Sequence, residues 1–416
     1  MSRDNLITGL DIGSTSIRVV VGQKSKGEEK LKIIGAVEVA AQGISKGVVT
    51  SVEDAVSSIS SALEKVERMI GQPIEHAWVG ISGSHIIDQA SKGVVAVSKA
   101  DGEIREEDVE RVIEAAKAIA TPPNYEILHV IPKSFTVDSQ TGIKDPIGMN
   151  GIRLEVETQI IQGLISQIKN LTKCIYRTGI DIDDLVLSIL ATSESVLTNR
   201  QKELGVVVVN LGGATSSMAV FEENDVLHIA VLPIGSDYVT NDIALGLKIS
   251  IDAAEKIKIR EGSCASKEFK KNNYIKYSEL GAIEDGEFSQ KEVAEIIEAR
   301  IEEIMESVDK ELKKIGKSGM LPAGVVLTGG GAKLDGIAEV AKNVLRLPSS
   351  LGQPQELVSN IGKVSDMSFT TAIGLVLWGS QLQDRGRRGG KIPLQISGSI
   401  GEATKQVKKW FKNILP

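Results

Sequence analysis

Leu6-Ile-Thr-Gly-Leu-Asp-Ile-Gly-Ser-Thr-Ser-Ile-Arg-Val-Val-Val21 is the stretch on which the fold turns. Two apolar, β-branched runs flank a Gly-Ser-Thr turn too short for a helix, so the segment reads as a β-hairpin. The pattern returns in Gly205-Val-Val-Val-Val-Asn-Leu-Gly-Gly-Ala-Thr-Ser-Ser-Met-Ala-Val-Phe221. A hairpin repeated roughly 200 residues later implies two similar lobes, one in each half of the chain. A third glycine turn, Val325-Val-Leu-Thr-Gly-Gly-Gly-Ala-Lys-Leu-Asp-Gly-Ile337, follows a buried-type strand and opens a helix.

Helical periodicity lies between these turns. Val52, Val56, Ile59, Leu63, Val66 and Ile70 form one stripe, and Val293, Ile296, Ile297, Ile301, Ile304, Val308, Leu312 and Ile315 form another. Residues 85–163 mix strands (93–97, 128–137, 153–161) with a helix over 105–119, the pattern of a small α+β insertion. Phe369 to Trp378 reads as an apolar helix returning to the core. Residues 384–399 are polar, glycine-containing and aperiodic, which predicts a flexible linker.

The chain has 416 residues, enough for several subdomains, and its 42% hydrophobic and 25% charged content is that of a globular protein. Two cysteines, Cys174 and Cys264, with no thiol near either, suit a reducing cytosol. Met1 to Asn5 is polar and lacks the character of a secretion signal, and no apolar run is long enough to span a bilayer. The net charge of −7 argues against a nucleic-acid partner. From Asp384 onward, however, the chain carries +6, leaving −13 on the body.

Glycines in a turn let backbone N–H groups approach phosphate oxygens, and hydroxyls add donors. Gly13, Ser14 and Thr15 in the first turn, and Gly212, Gly213, Ala214 and Thr215 in the second, are therefore candidates to cradle a triphosphate. Asp11 suits a hydrated Mg²⁺ ion, and Arg18 a counter-charge to phosphate.

The order and spacing of the three turns resemble the actin and Hsp-type chaperone ATPase superfamily. The resemblance implies that the hairpins clamp the phosphates of ATP while Gly329, Gly330, Gly331 and Lys333 line the adenosine. It also implies that Glu255 and Lys258, in Ala254-Glu-Lys-Ile-Lys258, lie beside base and ribose. Where the superfamily carries an acid that helps organise Mg²⁺ through water, this chain has Asn210, which has neither charge nor basicity, so turnover is expected to be slow at most. Glu194 falls where the superfamily often orients the attacking water; the alternative is an acid on a helix surface. A sugar kinase, a chaperone-type ATPase or a PilM-like pilus-assembly protein are the alternatives within the superfamily.

The insertion discriminates among them. Gly83-Ser-His-Ile86, Gly93 to Val97, Ile104 to Lys117, Leu128 to Lys133, Ile143 to Met149 and Gly151 to Glu155 resemble the inserted subdomain of the FtsA family. That resemblance implies an α/β, actin-like (ribonuclease-H-like) fold, ATP and Mg²⁺ binding, self-assembly into filaments and recruitment of the carboxyl-terminal peptide of FtsZ. It further implies later division partners and a place at the septum, on the cytoplasmic face of the membrane. The expected divisions are a first lobe over 1–84, 164–195 and 365–383 and the insertion over 85–163. The second lobe follows over 196–235 and 317–364, with its outer subdomain over 236–316. FtsZ docking is expected on that outer subdomain, with Arg300 as a candidate anchor.

Residues 400–416 end the chain with apolar Ile400, Val407, Trp410, Phe411, Ile414 and Leu415, and with Lys405, Lys408, Lys409 and Lys412 beside or opposite them. A helix of that length, about 24 Å, is too short to span a bilayer and is expected to lie flat in an anionic lipid interface.

Overall fold

The computed structural model describes residues 6–24, 31–98, 101–120, 122–270, 273–280, 286–355, 358–359 and 361–387. The chain opens with β1 (Leu6–Ile12), β2 (Ser16–Gln23) and β3 (Lys32–Ala40), followed by the short β4 (Ile44–Ser45) and β5 (Val48–Val49). Helix α1 (Val52–Ile70) leads to β6 (His76–Ile81). Ser51 caps α1 by accepting from the Asp54 N–H, and Gly71 ends it in the left-handed conformation. Its inner face buries Ala55, Ile59, Ala62, Leu63 and Val66.

The chain then leaves this sheet. Strands β7 (Ile86–Ala96), β8 (Tyr125–Val137), β9 (Gln140–Ile143) and β10 (Arg153–Leu164), with α2 (Glu106–Ala120) after β7, build a separate antiparallel sheet ordered β7-β10-β8-β9. Val109, Val112 and Ala116 of α2 seal it against Phe135, Leu154 and Val156.

Returning, α3 (Ile165–Arg177), β11 (Asp181–Leu187) and α4 (Ser188–Val196) complete the first lobe's core, and α5 (Asn199–Leu204) crosses to the second. There β12 (Val206–Leu211), β13 (Ser216–Glu222) and β14 (Asp225–Leu232) are followed by α6 (Ser236–Leu247), α7 (Ile251–Glu261), β15 (Tyr274–Lys276), β16 (Glu287–Ser289) and α8 (Gln290–Lys314). The chain continues through β17 (Val325–Thr328), α9 (Ile337–Leu345), β18 (Ser349–Leu351), β19 (Val358–Ser359) and α10 (Thr370–Arg387).

The sheets show the duplication that the hairpins predicted. The first is ordered β11-β6-β1-β2-β3-β19 and the second β14-β13-β12-β17-β18. In both, a three-strand antiparallel meander (β1-β2-β3, β12-β13-β14) is extended from its first strand by two parallel strands. Hairpin turns that follow β1 and β12 therefore emerge at matching places on the two lobes. Val206–Val209 are wholly buried, as expected for a strand covered on both faces.

Helix α10 runs through Arg387, four residues into the segment 384–399 expected to be linker. Gln381 to Arg387 contains no proline and only one glycine, so local propensity permits the extra turn. The rest of the linker and the terminal helix expected at 400–416 lie outside the described residues. Among the described residues, no helix is long and apolar enough to cross a membrane.

Candidate functional site

Each hairpin closes with the same backbone bond. The Gly13 N–H donates to Ser16 O at 3.1 Å, and the Gly212 N–H donates to Thr215 O at 3.0 Å. Register makes the turns equivalent position by position: Asp11 faces Arg18 across the first hairpin, and Asn210 faces Ser217 across the second. The two turns meet over a cleft lined by Asp11, Gly13, Ser14, Thr15 and Arg18 on one side and by Asn210, Gly212, Gly213, Ala214 and Thr215 on the other, with Gly329 and Gly330 at its end.

Contact between the turns explains two glycines. A Cβ on Gly213 would stand 2.4 Å from Thr15 Cγ2 and 2.9 Å from Asp237 Oδ1. Gly329 has φ +88°, and a Cβ there would lie 2.2 Å from Asn210 Oδ1. The cleft encloses about 90 Å³. Small-molecule sites usually need roughly 300 Å³ or more, so this volume by itself accommodates only part of a nucleotide.

Burial pushes the Asp11 carboxyl up to about 6, against the opposing pull of Arg18 at 4.0 Å. Arg18 lines the cleft, but its guanidinium is engaged: Nη2 donates to Glu38 Oε1 at 2.6 Å, and the group lies 5.8 Å from the centroid of the Phe369 ring. Arg18 Nε, buried, has no hydrogen-bond partner among the described residues. A partly buried carboxylate among hydroxyls fits Mg²⁺, which takes oxygen ligands and keeps much of its water. The glycine cradle, with room for backbone N–H groups but not for side chains, fits phosphate.

Asn210 Nδ2 donates to Thr371 Oγ1 at 3.1 Å and to Thr192 Oγ1 at 3.3 Å, and those hydroxyls lie 2.9 Å apart. Asn210 is thus held in a hydroxyl network joining β12, α4 and α10. Gly331 sits one step behind the cleft, against Leu211 and Ser236. Lys333 is drawn to Asp366 at 2.5 Å. Lys258 is buried and bonds Glu255 at 2.6 Å, Thr240 at 2.8 Å and the Ser236 carbonyl at 3.3 Å, beside the third turn.

Glu194 is placed elsewhere than expected, and Arg300 lies on α8 within the expected outer region but is already paired. Glu194 does not reach the cleft; it pairs with Lys202 at 2.6 Å and lines a separate cavity of about 620 Å³ with Trp378 and Gln381. Helical geometry is the reason, since Ser188 of α4 lines the cleft, Thr192 one turn on bonds Asn210 behind it, and two further residues turn the helix by about 200°. Arg300 is not a free surface charge: Nε and Nη2 bind Asp242 in a fork, and Nη1 bonds Glu303.

Sequence reasoning missed Gly47, Ser82, Ser188, Ser217, Ser368 and Thr371, which also line the cleft. Ser82 and Ser188 directly follow the parallel strands β6 and β11, and ligands bind outside the carboxyl ends of such strands. A hydroxyl immediately after each apolar run was the signal.

The family model described as "Cell division protein FtsA" matches residues 207–374, and that described as "SHS2 domain inserted in FTSA" matches residues 83–162, the region holding the separate antiparallel sheet. The chain is 36% identical over 394 residues to the cell division protein FtsA of Pseudomonas aeruginosa, covering 95% of this chain and 93% of that protein. The structure resembles a PilM-PilN type IV pilus biogenesis complex with a TM-score of 0.64 at 15% identity, covering 90% of this chain and 98% of that one. It also resembles MreB5 of Spiroplasma citri bound to ADP, with a TM-score of 0.55 at 12% identity, covering 94% and 100%. Both structural likenesses speak to the fold, which is actin-like.

Proposed function

The chain belongs to the FtsA family of cell division proteins, and on that premise we propose that it binds ATP with Mg²⁺ and assembles on the cytoplasmic face of the cell membrane, tethering FtsZ there. The observation that carries the nucleotide half is the pair of equivalent hairpin turns meeting over one cleft, with the Asp11 carboxylate in its lining. MreB5, which shares the fold, is bound to ADP, and the same cradle chemistry supports ATP here.

In this reading the turn N–H groups and the Ser14, Thr15 and Thr215 hydroxyls bind phosphate oxygens, and Asp11 holds the cation through its waters. Mg²⁺ supplies neutralisation of phosphate charge when bound. Asn210 orients through its amide but accepts no proton from an attacking water, which keeps hydrolysis slow. Glu255 and Lys258 border the adenosine end, with Lys333 further out.

The membrane half rests on Ile400, Val407, Trp410, Phe411, Ile414, Leu415 and the four lysines among them. One such helix binds weakly, and a filament carrying many copies binds by avidity, so membrane residence follows self-assembly. FtsZ's carboxyl-terminal peptide docks on the outer part of the second lobe, near Arg300, and later division proteins join the assembled filament.

Liposome recruitment tests the whole proposal. Labelled FtsZ carboxyl-terminal peptide is expected to co-sediment with anionic vesicles only when this protein, ATP and residues 400–416 are all present. Recruitment that is indifferent to both ATP and the tail rejects it.

A further inference from the structure

The loops carrying the two halves of the cleft are joined by a contact between them. Lys46 Nζ donates to Tyr238 Oη at 3.2 Å, and the ammonium lies 5.8 Å from the centroid of the ring. On the first lobe, the next residue is tied to the first turn, because the Gly47 N–H donates to Ser14 Oγ at 3.0 Å. On the second, the Ser236 and Asp237 N–H groups donate to the Gly212 and Gly213 carbonyls at 2.9 and 2.8 Å, so Tyr238 rides on the second turn. When the turns part, Lys46 and Tyr238 must part with them.

A second cation attends the same ring. Arg300 Cζ is 5.8 Å from the Tyr238 centroid, steered there by its fork to Asp242. A carboxylate arriving from outside competes with Asp242 for that guanidinium, because planar, bidentate recognition of carboxylate is what arginine does best. Taking Arg300 away removes one of the two cations that hold the ring in place.

We propose that Lys46, Tyr238 and Arg300 form a strut that holds the cleft shut, and that a carboxylate-bearing peptide engaging Arg300 loosens it, linking partner binding to nucleotide release. The strut rests on the reading of the cleft as a nucleotide site. By reciprocity, a bound nucleotide then changes peptide affinity by the same factor.

Release of a fluorescent ATP analogue from the full chain, followed by stopped flow, tests the strut. Lys46→Met, Tyr238→Leu and Arg300→Gln are each expected to release it about fivefold faster, the effect of losing a part-exposed cation–ring contact or hydrogen bond. Lys46 already has φ +49°, and a second non-glycine residue there adds no new backbone strain. If Arg300 acts through the ring of Tyr238, the double variant Tyr238→Leu with Arg300→Gln releases no faster than Tyr238→Leu alone. Saturating FtsZ carboxyl-terminal peptide, used as the probe, is expected to quicken release from the wild type and leave Tyr238→Leu unchanged. Variants that bind the analogue yet release it at the wild-type rate overturn the strut. A peptide that leaves wild-type release unchanged, or quickens Tyr238→Leu equally, overturns the partner link. Wild-type protein that fails to bind the analogue at all refutes the nucleotide site itself, a separate outcome.

Discussion

Asp11 and Asn210 hold equivalent places in the repeated hairpins, and one atom type separates their chemistry. The carboxylate is partly buried and costly unless a cation joins it; the amide is satisfied within the protein by Thr192 and Thr371. One lobe therefore presents a charge to the cleft and the other a neutral amide whose donors are already used. Gly213 decides how near the lobes come. Gly213→Asp places a side chain against Thr15 and adds a second carboxyl beside Asp237, wedging the turns apart. Overpacking of this kind costs about 1–3 kcal/mol, which corresponds to a nucleotide affinity lowered by about 5- to 150-fold. Titration of a fluorescent ATP analogue, with circular dichroism to show an intact fold, measures it; wild-type affinity in the variant moves the site elsewhere.

At the level of elements, the inserted sheet is fastened to the second lobe by β14. His228 sits between Asp88 of β7, at 3.2 Å, and Glu311 of α8, at 3.1 Å, and the Ile229 N–H donates to Asp88 at 2.9 Å. Lys144 pairs with Asp225, and Lys133 reaches the Leu227 carbonyl at 3.2 Å. Burial alone lowers the affinity of His228 for its proton, but the two carboxylates outweigh it and hold its pKa above the ordinary 6.5. A folded pKa raised in this way contributes stability that is complete below about 6.5 and fades as pH climbs through the folded value. Lys133 and Lys314 stand near the same carboxylates and oppose that protonation. His228→Gln is expected to lose a thermal midpoint advantage of about 2 °C at pH 5.5 and little at pH 9. Scanning calorimetry of both proteins across that range decides; a pH-independent difference assigns His228 a packing role only.

For the molecule as a whole, two matching sheets place their turns over one cleft, and the proposed function has self-assembly multiply a weak terminal anchor. Trp410→Glu is expected to abolish sedimentation with anionic liposomes while leaving nucleotide binding unchanged, since a carboxylate in the apolar edge costs more than one helix gains from lipid. Sedimentation equal to wild type rejects the anchor. Hairpins and helical stripes were legible in the residues themselves, because turn chemistry and periodicity act between neighbours in the chain; so was the duplication, because both copies keep the same Gly-hydroxyl turn. The partners of the charges were not. Arg18 with Glu38, Arg300 with Asp242 and Lys46 with Tyr238 are separated by 20, 58 and 192 residues, and Glu194 is turned from the cleft by the pitch of a helix whose facing only packing sets. Local sequence determined which elements form and which chemistry they carry. Tertiary structure alone decided which charges are already spent, because electrostatic pairing depends on distance in space and not on distance along the chain.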